Sequence, residues 1–212
     1  MEIFILTEEF KIIVIGITGK TGCGKSSAAY YLKENLSKSL ILDADLLAKE
    51  IYRDNSTVVK KAAAFFGREI LKADGSLDFP KLGRIVFEDS SQMKKLNELM
   101  FPLIIEKTVE FIKNNSDQNY IIIDAAILFD AGLDRFCDKI IYLKAHNTKR
   151  EKFLKCRDSD ICIEDIRQRI SNQKIKINKD KIDFVIENDS SVDELYKNID
   201  SVITRLSLVS SV

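Results

Sequence analysis

The chain has 212 residues, 45% of them hydrophobic, and its 33 basic side chains balance its 33 acidic ones. This length suits one α/β domain with a small insertion, and the zero net charge offers no general basic field for nucleic acid. Four cysteines without a C-x-x-C pair and a single histidine provide no zinc site of the usual spacing. The apolar start, residues 1–6, is too short to span a membrane. We therefore expect a cytoplasmic protein with free thiols and no nucleic-acid or membrane partner, and a monomer is favoured.

The first predicted strand leads into a phosphate-binding loop. Residues 11–17 form an apolar, β-branched run typical of a strand buried on both faces, and residues 27–36 have the apolar spacing of a helix. Between them, residues 19–26 fit the pattern G-x-x-x-x-G-K-[ST] at every fixed position. Glycines let the backbone surround a polyphosphate, and the helix N-terminus adds unpaired N–H groups. The predicted nucleotide contacts are Gly19, Gly22, Cys23, Gly24, Lys25, Ser26 and Ser27.

Three side chains of this loop have predicted roles. Lys25 is expected to reach the β- and γ-phosphates of ATP, and the Ser26 hydroxyl to ligate Mg²⁺. Cys23 is interpreted as a small filler, whose pKa would be lowered by the nearby positive charge and the helix terminus, making it sensitive to oxidation. The alternative, a glycine-rich turn without a ligand, is disfavoured by the strand before the loop and the helix after it.

Acidic residues follow two further predicted strands. The strand over 39–43 ends at Asp43 and is followed by Asp45, and the strand over 120–124 ends at Asp124. Ligands of open parallel sheets bind at the carboxyl ends of the strands. We therefore predict that Asp45 accepts the proton of an attacking alcohol, or alternatively only caps the next helix, and that Asp124 holds Mg²⁺.

A long helical stretch separates these two strands. Residues 56–114 are predicted to be mostly helical, with breaks at Gly67, at residues 73–76, at Pro80 and at Pro102. The stretch is too long for an ordinary crossover connection. We interpret it as an inserted helical region that holds the second substrate; a purely structural helical layer is the alternative.

The last part of the chain alternates strands and helices. Strands are predicted over 138–143 and 182–186, helices over 148–158 and 163–173, and a capping box opens a final helix at Ser191. The helix over 148–158 is rich in positive charge, which is typical of a solvated face or of a mobile lid over bound phosphates. Its cationic side chains are Lys149, Arg150, Lys152, Lys155 and Arg157.

Signatures of other nucleotide-binding classes are incomplete. Residues 178–180 read NKD, one place short of the guanine-reading N-K-x-D, and Ile127 lies where D-x-x-G requires glycine. A loop for phosphates, an acid for an alcohol proton and cations on a lid instead favour an ATP-dependent kinase of a small molecule.

Further motifs, in the same order and spacing, resemble those of the dephospho-CoA kinase family. They are DADLLA at 43–48, ADGSL at 73–77, LGRIVF at 82–87, LNELMFPLI at 96–104, ILFDAGLD at 127–134, CRD at 156–158, Arg169 with Gln173, and DFVIEN at 183–188. The resemblance implies a three-layer α/β kinase with a five-stranded parallel sheet, and ATP-dependent phosphorylation of the ribose 3′-hydroxyl of dephospho-CoA to give CoA. It also implies that Asp45 lies near the attacking hydroxyl.

The implied layout is a single kinase domain over 1–212. Its core covers about 11–55 and 118–206, the helical CoA-binding insertion about 56–117, and the lid about 146–175. Another small-molecule kinase, for a nucleoside or nucleoside monophosphate, and a nucleotide-binding regulator with a degraded lid are the alternatives.

The chain departs from the family pattern at substrate and lid positions. Phe101 replaces a histidine, Ala126 a proline and Lys49 an arginine. Arg157 matches one lid arginine, but the other is replaced by Phe153. We hypothesise that Arg150, on roughly the same helix face, or Lys152 supplies the missing charge.

Overall fold

The computed structural model describes residues 12–157, 162–173 and 175–209, leaving aside the side chains of residues 87, 88 and 207–209. Its centre is a sheet whose strands are β1 (Ile13–Gly19), β2 (Ser39–Asp43), β3 (Tyr120–Asp124), β4 (Lys139–Lys144) and β5 (Phe184–Glu187). All pairings are parallel, in the order β2-β3-β1-β4-β5. The predicted five-stranded parallel sheet is confirmed, with strand ends shifted by one or two residues.

Eight α-helices lie within the described ranges. They are α1 (Lys25–Asn35), α2 (Ala44–Asp54), α3 (Ser56–Phe66), α4 (Phe79–Glu88), α5 (Ser90–Asn114), α6 (Asn147–Arg157), α7 (Ile163–Asn172) and α8 (Val192–Val209). Short 3₁₀ turns cover Arg68–Ile70, Leu133–Phe136 and Lys179–Lys181. The predicted end of the helix over 148–158 falls outside the described residues. In the described part of the chain, no helix has the length and apolarity needed to cross a bilayer.

The two prolines do not break helices as predicted. Pro80 lies in the first turn of α4, where its missing N–H has no helical partner to lose, and Asp78 caps that helix by accepting from the Lys81 N–H at 3.2 Å. Pro102 lies inside α5, which continues through it. Met100 and Ile104 on either side of it are buried in the apolar core that α5 shares with α2, α3 and α4, so one absent hydrogen bond does not end the helix. The breaks at Gly67 and at 73–76 are confirmed.

Alternating strand residues build a separate core on each face of the sheet. On one face, Val14, Ile121 and Ile123 pack with the buried residues of α2 to α5. On the other face, Ile15 and Ile122 pack with α1 and α8. Continuous apolar strands thus produce three layers, because their side chains point alternately to opposite faces.

The strand order places the phosphate loop at the centre of the sheet. From β1 the chain runs to β2 and β3 on one side and then to β4 and β5 on the other. The carboxyl end of β1 is therefore the switch point, where ligands of such sheets bind. Asp43 and Asp124 are register partners on adjacent strands, and Asp124 also pairs with Ile17.

Candidate active site

The phosphate loop connects β1 to α1 as predicted. The Cys23 N–H donates to the Lys20 carbonyl at 3.2 Å and closes a tight turn that contains Gly22, whose φ of 75° is unfavourable for other residues. Gly24 precedes α1 with a φ of 96° and provides no side-chain cap. The N–H groups at the start of α1 therefore remain available for an anion.

Asn188, a buried residue beyond β5, supports the loop from outside. Its Nδ2 donates to the Cys23 carbonyl at 3.0 Å, and its Oδ1 accepts from Lys149 Nζ at 3.0 Å. A Cβ on Gly24 would lie 2.5 Å from the same Nδ2. The glycine is thus required for close approach as well as for its φ.

Asp124 and Ser26 form the pair that the sequence predicts to hold Mg²⁺. The Ser26 hydroxyl donates to Asp124 Oδ2 at 2.7 Å, and Asp124 is 6% exposed. Burial raises the pKa of Asp124, the nearby Lys25 charge and the Ser26 hydrogen bond oppose this rise, and the Asp43 and Asp45 charges add to it. The donor set, a hydroxyl beside a carboxylate, suits a hard cation that takes its other ligands from phosphate and water.

A preformed metal cage is absent from the described residues, which contain no group of three or more His, Cys, Asp or Glu side chains able to hold a metal ion. Any cation at Ser26 and Asp124 would therefore depend on the nucleotide for most of its ligands, as Mg²⁺ commonly does.

Asp43, and not Asp45, caps α2. Asp43 Oδ1 accepts from the N–H groups of Asp45 and Leu46, each at 2.9 Å. Asp45 lies in the first turn of α2 and is exposed. The alternative that Asp45 merely caps this helix is therefore wrong, because the residue that ends β2 already occupies the capping position.

The expectation of a reactive thiol in the loop is also wrong. Cys23 is completely buried, and burial raises its pKa above the ordinary value, although the charges of Lys25 and Arg150 act in the opposite direction. A thiol buried in this way is a small filler, which confirms the other part of the prediction.

The predicted lid cations lie in different environments. Lys152 and Arg157 are exposed on α6, whereas Arg150 is 1% exposed and contacts the phosphate loop. Its Nε donates to the Thr21 carbonyl at 2.8 Å. The ring of Phe153 lies beside Lys149, whose Nζ is 5.2 Å from the ring centroid.

A cavity of about 940 Å³ lies beside α2, between α3 and the turn over 71–77. On α2, Leu46 directly after Asp45 and Lys49 one turn beyond it line the cavity, and Tyr52 and Phe79 contribute aromatic walls. Its remaining charged lining residues are Arg53, Lys60, Arg68, Lys72, Glu50 and Asp74. The cavity is thus apolar in its walls and predominantly cationic at its rim.

Asn188, Gln173 and Asn147 are site residues to which sequence reasoning assigned no role. The first two lie only in the quoted motifs, and Asn147 in none. Gln173 accepts from the Thr21 N–H across 152 positions of the chain. No local pattern marks such a contact, since it depends on how the strands and helices assemble.

A Gly-Lys-Ser loop at the switch point of a five-stranded parallel sheet, with a buried aspartate on the neighbouring strand, defines the phosphate-loop kinase class. Comparison with known proteins then specifies the family. A profile of the dephospho-CoA kinase family matches residues 13–194. The chain belongs to the dephospho-CoA kinase family and is an ATP-dependent kinase that phosphorylates a hydroxyl group.

Individual relatives agree with this assignment. The dephospho-CoA kinase of Fusobacterium nucleatum is 34% identical over 194 residues, covering 89% of this chain and 96% of that protein. The dephospho-CoA kinase of Aquifex aeolicus is 33% identical over 194 residues, covering 91% and 96%. A crystal structure of a Thermus thermophilus protein superposes with a TM-score of 0.73 at 24% identity, covering 92% of this chain and 98% of that one, which shows the shared fold.

Proposed function

We propose that this chain transfers the γ-phosphoryl group of Mg·ATP to the ribose 3′-hydroxyl of dephospho-CoA. The observation that carries the proposal is the course of α2. Its first turn holds the exposed Asp45, close in sequence to Asp43, which pairs with Asp124 at the carboxyl ends of β2 and β3. Its following turns line the large cavity. One helix therefore connects the phosphate site with a space for the acceptor.

On the nucleotide side, the loop N–H groups and Lys25 bind the β- and γ-phosphates. Ser26 and Asp124 are the residues that would hold Mg²⁺, which when bound neutralises charge on the phosphate oxygens. Lys25 lies close enough to Asp124 to affect its pKa. The Lys25 ammonium and the Asp124 carboxylate thus belong to one electrostatic site at the carboxyl ends of the central strands.

On the acceptor side, the cavity suits a long molecule that has apolar stretches and a pyrophosphate. Its rim carries Lys49, Arg53, Lys60, Arg68 and Lys72 against two acids. Asp45 accepts the proton of the 3′-hydroxyl as the new O–P bond forms and the bond from the γ-phosphorus to ADP breaks. Arg157, exposed at the end of α6, is proposed to stabilise charge on the transferred group.

Product analysis tests the proposal. The purified protein is incubated with Mg·ATP and dephospho-CoA, and we expect equal amounts of ADP and CoA by mass spectrometry, with a 3′-phosphate resonance in the ³¹P spectrum. ADP formed with nucleosides or nucleoside monophosphates but not with dephospho-CoA would assign another kinase activity. No transfer to any of these acceptors would leave a nucleotide-binding regulator.

The role of Asp45 is tested by Asp45→Asn. We expect kcat to fall about a hundredfold or more, because the hydroxyl loses its proton acceptor, while the Kd for Mg·ATP stays unchanged. Asp193→Asn is the matched control, since Asp193 is exposed in the first turn of α8. Near-normal turnover of Asp45→Asn would remove this carboxylate from the chemistry.

A further inference from the structure

Both main-chain polar groups of Thr21, inside the phosphate loop, are bound by side chains from the lid. The Thr21 N–H donates to Gln173 Oε1 at 2.7 Å, and Arg150 Nε donates to the Thr21 carbonyl at 2.8 Å. Arg150 lies near the start of α6, and Gln173 directly follows α7. The start of α6 and the end of α7, where these two helices join the rest of the chain, therefore both contact Thr21.

Arg150 is a buried cation surrounded by neutral acceptors. Besides Thr21, its guanidinium donates from Nη1 to Asn147 Oδ1 at 2.9 Å and from Nη2 to Gln173 Oε1 at 3.2 Å. Burial lowers the pKa of Arg150 from its ordinary value. In the described part of the chain, no carboxylate forms an ion pair with it. A buried charge without an opposite charge destabilises the folded state.

The same helix packs against the outside of the loop. A Cβ on Gly22 would lie 3.0 Å from the Arg150 carbonyl and 3.1 Å from Leu154 Cγ. The glycine backbone is therefore the layer between α6 and the space that the loop surrounds. A polyphosphate in that space is the anion that the surroundings of Arg150 otherwise lack.

We propose that Arg150 and Gln173 are positioning residues for the nucleotide: they hold the Thr21 backbone in the phosphate-binding shape of the loop, and bound polyphosphate balances the buried charge of Arg150. The inference rests on the proposed function, because it concerns the same nucleotide. It assigns Arg150 an action through the loop, and not a contact with the transferred phosphoryl group.

Two variants change the charge around Thr21, and one of them keeps the hydrogen bonds of the wild-type protein. Arg150→Gln removes the cation. Gln173→Glu keeps an oxygen that accepts from Thr21 and from Arg150 but places a negative charge beside the guanidinium. We expect both to raise the Kd and the KM for Mg·ATP about tenfold, leaving the KM for dephospho-CoA unchanged. Gln173→Glu should also raise the Tm of the nucleotide-free protein, since it pairs a buried cation.

The measurements are calorimetric titration with Mg·ATP, thermal unfolding with and without it, and steady-state kinetics. Lys33→Gln is the control, because Lys33 is an exposed cation on α1 away from the loop. A Kd within about twofold of the wild-type value in either variant overturns the proposal. If Arg150→Gln does not fold, Gln173→Glu still decides the charge balance, because it retains both hydrogen bonds, and Gln173→Met, which removes the oxygen that accepts from Thr21, decides the positioning role by the same tenfold criterion.

Failure of this inference is distinguishable from failure of the proposed function. A wild-type protein that binds Mg·ATP and forms CoA, with variants that bind equally well, contradicts only the positioning role. A wild-type protein that binds no Mg·ATP contradicts both.

Discussion

At the scale of single residues, burial controls the protonation of the groups around the phosphate loop. Cys23 and Asp124 lie on adjoining elements, and burial raises the pKa of each despite the Lys25 charge nearby. The Cys23 thiol therefore stays protonated and unreactive. For the carboxylate the result is an anion held at a cost in stability, which a bound cation would relieve.

This cost predicts how Asp124→Asn behaves. Because the pKa of Asp124 in the folded chain lies above its ordinary value, the folded chain binds more protons than the unfolded chain between the two pKa values. The contribution of the Asp124 carboxyl to the free energy of unfolding is therefore fully present below its pKa in the unfolded chain. It is lost as the pH rises through its pKa in the folded chain. Without nucleotide, Asp124→Asn should have a higher Tm than wild type at about pH 7, and the difference should shrink towards about pH 4.

Calorimetry across this pH range makes the measurement, with Asp193→Asn as the exposed control. Phosphoryl transfer by Asp124→Asn should be strongly reduced at the same time, since the proposed magnesium ligand is lost. A variant less stable than wild type at neutral pH would contradict the account.

Tyr52 provides a second prediction at this scale. It is 6% exposed, and its hydroxyl is buried without a hydrogen-bond partner among the described residues. Its ring meets Phe79 edge-on, with centroids 5.8 Å apart. Tyr52→Phe keeps the ring packing and removes the unsatisfied hydroxyl, so the free energy of unfolding should rise by about 1 kcal/mol in urea titrations. A decrease would show that the hydroxyl has a partner in solution.

At the scale of elements, the junction between the loop and α1 depends on a glycine for two independent reasons. The φ of Gly24 is 96°, and a Cβ there would collide with Asn188 Nδ2. Gly132, before the 3₁₀ turn at Leu133–Phe136, also has positive φ, 68°, but a Cβ added there would meet nothing within 4 Å. Alanine substitutions at Gly24 and Gly132 therefore distinguish the cost of a positive φ, which both positions share, from the cost of a steric clash, which only Gly24 has.

Gly24→Ala should weaken Mg·ATP binding at least about tenfold, because the added methyl group displaces Asn188 and releases the Cys23 carbonyl. Gly132→Ala should cost only about 1–2 kcal/mol of stability and leave the Kd for Mg·ATP unchanged. Equal nucleotide affinity of the two variants would show that the Asn188 contact does not support the loop.

At the scale of the whole molecule, the sheet supplies the nucleotide site and the helices from α2 to α4 border the cavity. The division into a core, an acceptor-binding insertion over 56–117 and a lid over 146–175 stays a prediction. The insertion shares one apolar core with the sheet face that it covers. The proposed acceptor site and the phosphate site are therefore parts of one packed unit.

Filling the cavity tests this division. Ala64 lines the cavity and is exposed, so Ala64→Trp should occupy acceptor space without disturbing the core. We expect the KM for dephospho-CoA to rise about tenfold while the Kd for Mg·ATP is unchanged. Ser201→Trp, at an exposed position of α8, is the control. An unchanged KM would place the acceptor elsewhere.

The sequence alone was sufficient to predict the phosphate loop, the five strands and the position of Asp43 and Asp124 at the strand ends. Each depends on local spacing: apolar β-branched runs form buried strands, and a Gly-Lys-Ser ending before a helix forms a phosphate site. The capping box at Ser191 is likewise local, and the Glu194 N–H donates to Ser191 Oγ at 3.2 Å.

Only the tertiary structure decided that α5 continues through Pro102, that Cys23 has a raised pKa and that Arg150 binds the Thr21 carbonyl. Packing of α5 against its neighbouring helices outweighs the local preference of a proline, and burial outweighs the charges beside a thiol. Residues far apart in the chain meet only when the strands assemble. The sequence by itself therefore determined the chemistry of this protein, while the fold decided which side chains hold that chemistry in place.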